Sequence, residues 1–328
     1  MIQLPSVQNY CISKVTSVIS KKLKTEVSIK HFSLNINGEI SIDEFYLEDQ
    51  FKDTLLSAGK ITIGLDLPDL LQKKINLYKL SLKQVNINVS TPHDSSVWNY
   101  QYIIDAFSDS LSKDSIKRDT TGSSYKLSFS NIQLNDIAIN FHDRFNKTKI
   151  QLDLNKLRAN FNESDIDKMK FDIQDISVSG LNTIADIGIT TESEDNTTSI
   201  LPYILLNKIE LQNIKIKYSS LQKPVLNVNL EKYTGNKIEA DLNFRKVNAG
   251  NQELNHSQIA YFTNAEPPAS NKSEQKSWNI NISNIKLANN TFSMNAINKA
   301  PLTSFVSDTM VVTGINLNAS NIRYNADT

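Results

Sequence analysis

The amino-acid sequence predicts an all-β fold with a few short helices near its beginning. The first observation is that apolar and polar residues alternate along 125–143 (YKLSFSNIQLNDIAINFHD), a pattern typical of a strand with one dry and one wet face. The second is that similar runs of apolar residues, two or three positions apart, recur along the chain. We call each such run a phrase. The third is that apolar residues follow helical spacing only in its early part. The chain therefore contains many strands with one apolar face, and these faces need a shared surface that is shielded from water. We call this side of each strand the dry side.

The alternation is interrupted at 130–131 and at 135–136, where successive apolar residues are three positions apart. In a regular strand an odd step would carry the following apolar residues to the opposite face. A β-bulge at the step, or a turn into a new strand, keeps them on the same side. Asparagine and aspartate suit both because they tolerate left-handed backbone angles. We expect such a device at Asn131, Asn213 and Asn284, each of which precedes an isoleucine.

The recurring phrases supply the residues of the candidate dry surface. Copies also occur at 80–89 and, more loosely, at 315–324, and their irregular spacing differs from the strict period of solenoids and propellers. The candidate residues are Leu127, Phe129, Ile132, Leu134, Ile137, Ile139, Phe141, Ile209, Leu211, Ile214, Ile216, Tyr218, Ile280, Ile282, Ile285 and Leu287. On the pattern alone, they fill either a packed β core or an open apolar surface.

The first segment, 1–24, predicts an amphipathic helix that begins at Pro5–Ser6. Its apolar residues follow helical spacing, and its lysines fall mostly on the other side. Such a helix lies at a membrane surface, plugs the end of a sheet, or covers an ordinary core. The sequence leaves these alternatives open.

The rest of the chain divides by composition into β units and polar connections. The first unit contains a hairpin turn at Asn37–Gly38 and, at its end, a short helix over 99–108. Pro68–Gln72 is expected to add one helical turn. The expected segments are 25–107 as the first β unit, 108–124 as a disordered loop, 125–263 as a second β unit, 264–277 as a linker, and 278–328 as the start of a further β unit.

Charge and cysteine content exclude several classes of protein. Lys+Arg and Asp+Glu are matched at 35 each, which argues against nucleic-acid binding because that needs a clustered positive surface. A single cysteine, Cys11, excludes an intramolecular disulfide framework and a cysteine-rich zinc site. The sequence contains no apolar run of the ~20 residues that a transmembrane helix requires, and its first residues lack the features of a signal peptide.

Motifs for catalysis, metal binding and cofactor binding are absent from the sequence. The four histidines are scattered, and no HExxH, P-loop, GxGxxG or GxSxG phrase occurs. His142 and Asp143 are adjacent, so on a strand they point to opposite faces and do not form a base with its orienting carboxylate. We interpret them as a solvated strand end. The sequence therefore predicts a protein that is not an enzyme, with no cofactor and no metal.

The ordered series of these phrases resembles the N-terminal region of the translocation and assembly module family (TamB), within the AsmA-like group. The resemblance extends to about residue 220. It is carried by Leu4–Asn9 with the following helix, by 40–49 (ISIDEFYLED), by 69–75 (DLLQKKI), by 99–107 (NYQYIIDAF), and by the phrase that ends in His142–Asp143. Members of that family are longer, so we expect a fragment that lacks the membrane anchor and the C-terminal part.

The resemblance implies a long, twisted antiparallel sheet curled into an open hydrophobic groove. It implies a periplasmic protein, anchored to the inner membrane at full length, that carries phospholipids between the inner and outer membranes and contributes to outer-membrane biogenesis. Its expected partners are phospholipid acyl chains and an outer-membrane β-barrel protein. Two alternatives remain beside it: a chaperone-like scaffold for the insertion and secretion of outer-membrane β-proteins by β-augmentation, and a structural or adhesin β-solenoid fragment.

Overall fold

The computed structural model describes residues 5–35, 37–66, 68–69, 74–92, 97–112, 126–188, 200–221, 223–263, 278–296 and 309–325. The chain forms two compact units, Met1–Arg158 and Ala159–Thr328. Their boundary falls inside one long strand, and each unit is described separately below.

Among the described residues, two helices longer than one turn belong to the first unit. Helix α1 spans Pro5–Leu23 and helix α2 spans Gln101–Ser112. The predicted N-terminal helix and its start at Pro5 are thus confirmed, and the short helix predicted over 99–108 continues to Ser112. Residues 113–124 of the expected loop lie outside the described part of the chain, as do Leu70–Gln72 of the expected helical turn.

The strands of the first unit form an antiparallel meander that ends in a parallel pair. Strands β1 and β2 both pair with β3, and β3, β4 and β5 follow one another antiparallel. Strand β5 then pairs in parallel with β6 and β7. Their bounds are Val27–Ser28 (β1), His31–Leu34 (β2), Glu39–Glu48 (β3), Thr54–Leu65 (β4), Lys74–Ser90 (β5), Lys126–Phe129 (β6) and Asn131–Asp143 (β7).

The second unit contains longer strands in mixed pairing. Strands β9 and β10 are parallel, β11 is antiparallel to β10, β12 and β13, and β14 is parallel to β12 and β13 but antiparallel to β15. Strand β8, which contains the boundary, is Thr148–Asp165. The other bounds are Lys170–Ile187 (β9), Tyr203–Ser220 (β10), Lys223–Asp241 (β11), Lys246–Asn255 (β12), Gln258–Thr263 (β13), Asn279–Ala296 (β14) and Thr309–Asn325 (β15).

The all-β prediction is confirmed, but the predicted antiparallel sheet is wrong because the sheet is mixed. Parallel neighbours need a crossover of a dozen or more residues to bring the chain back to the same end of the sheet. Such lengths separate β5 from β7, β9 from β10, and β13 from β14. The expected linker, 264–277, lies outside the described part of the chain, between the end of β13 and the start of β14.

The strands of the first unit bend at one shared register. Glu44, Gln84 and Asp136 have left-handed backbone angles, with φ of 51°, 53° and 55°. The flanking pairs place Glu44 across from Gly59, Gly59 across from Gln84, and Gln84 across from Asp136. The left-handed residues of β3, β5 and β7 therefore lie at one register, with Gly59 of β4 between the first two.

Similar rows of bends occur in the second unit. Gly180 and Asn213 lie across from each other on β9 and β10, and His256 and Asn289 do so farther along, with φ of 69°, 53°, 49° and 53°. Bends stacked at one register are typical of β-solenoids, in which successive strands turn at the same height. They suggest the solenoid architecture that the sequence left open beside the groove.

Candidate functional site

In the first unit, the apolar side chains stack in rows across four strands. One row consists of Ile40, Ile63, Leu80 and Ile132, which are paired in register. The next rows are Ile42–Ile61–Leu82–Leu134, Phe45–Ala58–Val85–Ile137 and Leu47–Leu56–Ile87–Ile139. Directly paired residues of neighbouring strands lie on the same face of a sheet. The structure therefore brings the predicted residues of β7 together with apolar residues of β3, β4 and β5.

The remaining predicted residues of segment 125–143 lie at its two ends and form further apolar pairs with β5. Phe141 pairs with Val89, and Phe129 pairs with Leu77. Leu127 pairs with Ile75 through its backbone, while its side chain lies outside the described part of the structure.

In the second unit, the structure brings two predicted phrases together. Leu211 and Leu287 belong to one row, Leu211–Tyr233–Leu254–Leu287. Ile209 and Ile285 belong to the next row, with Gly235 and Gln252 between them. The other predicted residues lie in the rows Ile204–Ala240–Val247–Ile280, Ala249–Ile282–Ile322, Leu181–Ile214–Leu230, Ile216–Val228–Ile259–Phe292 and Tyr218–Leu226–Tyr261–Met294.

Three of the buried members of these rows lie directly after a bend. Val85, Ile137 and Ile214 each follow a left-handed residue directly, and their exposed fractions are 4%, 6% and 4%. The left-handed residue occupies the three-residue step, so the next apolar side chain returns to the dry side. At Asn213 this device is a left-handed residue inside one continuous strand, and not a β-bulge or a turn into a new strand, because the pairing with β11 keeps its register from Gln212–Lys232 to Ile214–Leu230.

The same prediction fails at Asn284 and takes another form at Asn131. Asn131 begins β7 after a break at Ser130, so the chain enters a new strand there. Asn284 keeps an extended backbone, and the left-handed residue of β14 is Asn289. The Nδ2 of Asn284 donates instead to Oδ1 of Asn251 at 2.7 Å. The sequence pattern predicts a bend at this asparagine, but the side-chain amide of Asn284 forms a hydrogen bond between strands instead.

Most of the predicted residues are only partly buried. Ile137 and Ile214 are buried, whereas the other predicted residues whose side chains are described are half-buried. A packed core of this size would bury most such side chains fully. The apolar rows therefore form a continuous surface that the described parts of each unit cover only in part.

A polar group interrupts the apolar rows of the second unit. The Tyr233 hydroxyl donates to Oε1 of Gln252, and Nε2 of Gln252 donates to the carbonyl oxygen of Asn236 at 3.2 Å. Burial raises the pKa of Tyr233. Asn236 and Gln252 also border a concavity of about 810 Å³, whose lining includes Gly235 and Ile285. The sequence pattern did not reveal this group because its members come from β11 and β12.

The helices of the first unit cover a compact apolar cluster. Leu23 of α1 is buried against Val27, Leu47 and Leu55. Additional partly buried side chains pack around this cluster; they are Ile19, Phe45, Leu56, Tyr100, Tyr102, Ile103 and Ala106. Of the roles that the sequence left open for α1, its described side chains favour the covering of a core.

Asp143 is a structural residue and not the solvated strand end that the sequence suggested. It is buried, with 7% exposed, and accepts hydrogen bonds from Thr91 Oγ1 at 3.1 Å and from Nδ2 of Asn146 at 2.7 Å. Burial raises the pKa of Asp143, but the hydrogen bonds from Asn146, Thr91 and the Phe145 backbone together outweigh it and lower the pKa below its usual value. The carboxylate therefore fixes the turn between β7 and β8.

No cluster of three or more histidine, cysteine or acidic side chains that could hold a metal ion occurs within the described ranges. Neither helix in the described part of the chain is long and apolar enough to span a bilayer. Comparison with known proteins finds no matching family model and no matching curated protein.

Proposed function

We propose that the half-buried apolar rows bind the acyl chains of phospholipids. In this proposal the chain is part of a periplasmic carrier between the inner and outer membranes, the role implied by its resemblance to the TamB family. The observation that supports it is the continuity of apolar residues from strand to strand, such as Ile42–Ile61–Leu82–Leu134, combined with their incomplete burial.

The energetics of lipid transfer favour such a surface. Moving an acyl chain through water costs ~0.8 kcal/mol per CH₂, or on the order of 10 kcal/mol per chain. Neighbouring strands are about 4.8 Å apart, so successive members of a row present apolar contacts at intervals of a few carbon–carbon bonds. A row that crosses several strands offsets much of the cost along its length. The apolar face of each bent sheet would then act as a groove wall.

A structural β-solenoid is the second candidate, supported by amide ladders on the polar side. Nδ2 of Asn281 donates to Oδ1 of Asn248 at 3.1 Å, and Oγ of Ser320 donates to Oδ1 of Asn284 at 2.8 Å. Stacked amides stabilise repeated strands without any ligand. The chaperone-like alternative is supported by β15, whose described pairing is with β14 alone and whose sequence carries a single charge, Arg323.

A substitution on the half-buried surface separates the lipid carrier from a closed domain. Ile139→Asp places a carboxylate at a half-buried position, where on an open surface it stays hydrated. We expect the variant to fold and to lose bound lipid. In a closed core the same carboxylate would be buried without a partner and would unfold the domain. The measurements are thermal melting and mass spectrometry of lipids that co-purify with the protein.

Two further variants calibrate this experiment. Ile214→Asp, at a fully buried position, should unfold the second unit whether the apolar rows form an open surface or a closed core. Lys215→Asp, exposed on the opposite side of the same strand, should retain both fold and lipid. Wild-type protein that carries no lipid, together with an unfolded Ile139→Asp variant, would contradict lipid binding and leave the structural solenoid.

A further inference from the structure

Strand β15 presents a long backbone edge that is suited to pairing. In the described part of the chain, β15 pairs with β14 alone. Its 17 residues, Thr309–Asn325, include no lysine, no acidic residue and no proline. Native proteins commonly blunt an edge strand with lysine or proline, or keep it short, because its unpaired N–H and C=O groups are a template for another strand. The edge of β15 lacks these protections.

The apolar rows of the second unit end at β15. Leu317 pairs with Leu287, and Tyr324 pairs with Ile280. Leu287 and Ile280 have strands on both sides and are half-buried, whereas Leu317 and Tyr324 are 48% and 55% exposed. A further strand beside β15 would continue these rows and take its exposed apolar side chains out of water.

The spacing of the dry-side residues on β15 reads the same in both directions. These residues follow steps of two, three, two, two, three and two, and they are Met310, Val312, Ile315, Leu317, Ala319, Ile322 and Tyr324. Reversal of β10 about Leu211, or of β14 about Leu287, instead brings a left-handed asparagine opposite an isoleucine. The symmetry therefore distinguishes β15 from these two strands.

This symmetry favours a second copy of the same chain as the further strand. Strand β14 occupies one edge of β15, so a second copy must present the same free edge. A two-fold axis perpendicular to the sheet makes the two β15 strands antiparallel and keeps their dry sides together. Centred on Leu317, this arrangement places each dry-side residue opposite an apolar one: Leu317 opposite Leu317, Ile315 opposite Ala319, Val312 opposite Ile322, and Met310 opposite Tyr324.

Charge does not oppose this arrangement. Arg323 is the single charged residue of β15, and in the same register it lies opposite Val311 of the second copy. Like charges directly opposite each other on paired strands are destabilising. No such pair arises between the two β15 strands.

The length of β15 is sufficient for a stable interface. About 15 residue pairs extend over roughly 50 Å, and a sheet is about 10 Å thick, so the two copies together bury on the order of 1,000 Å². A specific interface needs about that area. The backbone also supplies roughly 14 hydrogen bonds, against about 10 in a typical interface.

We infer that two copies of this protein associate through antiparallel pairing of their β15 strands, centred on Leu317. In the dimer, the row that contains Leu254, Leu287 and Leu317 continues into Leu317 of the second copy. The association closes at two copies, because each chain contributes one β15 edge to an isologous contact. It goes beyond lipid binding and does not depend on it.

Sedimentation over a range of protein concentrations measures the association. A reducing agent excludes disulfide-linked dimers through Cys11. We expect wild type to show a monomer–dimer equilibrium. Leu317→Lys should raise the dimer Kd by about tenfold or more, because two like charges face each other and both leucines lose their burial. Leu317→Glu should raise it by a similar factor for the same reasons.

Mixing these two variants tests the two-fold centre. Each variant alone should be largely monomeric, whereas an equal mixture should form heterodimers, because the introduced ammonium then faces the introduced carboxylate. The matched control is Leu221→Lys, which changes a side chain that is 58% exposed between β10 and β11. This control should dimerise as wild type.

A second pair of variants tests the register. Val311→Glu should lower the dimer Kd by about threefold or more, since the carboxylate faces Arg323 of the other copy twice in each dimer. Val311→Lys should raise the Kd by a similar factor. Within one chain, Val311 pairs with Ser293 and Arg323 pairs with Asn281. The two positions are far apart along the strand, so the effect of charge arises between copies.

Four results would each overturn the inference. They are a monomer at every concentration, a dimer that Leu317→Lys leaves intact, an equal mixture that stays monomeric, and equal effects of Val311→Glu and Val311→Lys. Unchanged thermal melting of each variant at low concentration confirms that its fold is intact. Because lipid co-purification is a separate readout, a monomeric protein would leave acyl-chain binding standing, and a dimer without lipid would leave this association standing.

Discussion

Asn213 on β10 lies directly across from Gly180 on the parallel strand β9, and both have left-handed backbones, with φ of 53° and 69°. The neighbouring pairs Gln212–Ser179 and Ile214–Leu181 fix this alignment. A left-handed backbone suits glycine and is tolerated by asparagine, but costs other residues roughly 1–2 kcal/mol. Two strands therefore bend together at positions whose residue types make the bend inexpensive.

The bend predicts an order of severity among changes at Asn213. Asn213→Gly should change the free energy of unfolding little, because glycine adopts the same angles freely. Asn213→Val should destabilise by about 1–2 kcal/mol or more, since a β-branched residue disfavours a left-handed backbone. Deletion of Asn213 should be worst, because Ile214, Ile216 and Tyr218 would exchange faces. Denaturant unfolding ranks the three, and equal tolerance of deletion and Asn213→Gly would contradict the bend.

Depth of burial predicts unequal costs for neighbouring truncations on β7. Ile137→Ala removes a side chain that is buried at the bend and should cost about 2–4 kcal/mol. Leu134→Ala, at a half-buried position before the bend, should cost about half as much or less, because less apolar area leaves water there. The free energy of unfolding in urea measures both. Equal losses would show that the bend does not concentrate packing.

The Asp143 carboxylate predicts a stability difference that depends on pH. Since folding lowers the pKa of Asp143, its contribution is complete above the pKa of an unfolded aspartate, about 3.9. It is lost as the pH falls through the lower pKa of the folded state. Asp143→Asn should therefore have a lower melting temperature than wild type at pH 7. The difference in melting temperature should become smaller below about pH 4.

The control for this experiment is Asp167→Asn, at an exposed position in the β8–β9 turn, which should melt with wild type at pH 7. A melting-temperature gap for Asp143→Asn that stays constant down to the lowest accessible pH would contradict a role for the ionised carboxylate.

The polar group of the second unit predicts that Gly235 tolerates no side chain. A Cβ at this position would lie 2.8 Å from the Tyr233 hydroxyl oxygen and 3.0 Å from Cγ2 of Ile209, and would also collide with Oε1 of Gln252. Gly235→Ala should destabilise by about 1–3 kcal/mol through overpacking. Adding Gln252→Ala removes one collision, so the double variant should be more stable than the two separate losses predict. Strict additivity in thermal melting would show that the two positions are not coupled.

The sequence could predict the strands because alternation is a local property. The bends are local too. The three-residue steps from Leu82 to Val85 and from Leu211 to Ile214 both contain left-handed residues, so this spacing in the sequence indicates where the strands bend. Whether two strands run parallel depends on where the chain goes between them. The length of the segment between β5 and β7 is enough for a crossover between parallel strands. Its polar composition predicts only a loop and does not show that the chain returns to the same end of the sheet.

The residues that the sequence analysis missed obtain their roles from neighbours distant in the chain. Asp143 is buried because Thr91 reaches it from more than fifty positions away, and Gly235 is constrained by Gln252 of the next strand.

The rows of bends restrict how this protein can change its length. Alternation alone would tolerate the loss of two adjacent residues from a strand, since every side chain keeps its face. A strand shortened by two residues before the bend would, however, carry its left-handed residue out of line with Gly180 or Asp136 in the neighbouring strand. Insertions and deletions should therefore accumulate in the connections, or add and remove whole strands. Homologues should differ in the number of strands far more than in the distance from strand end to bend.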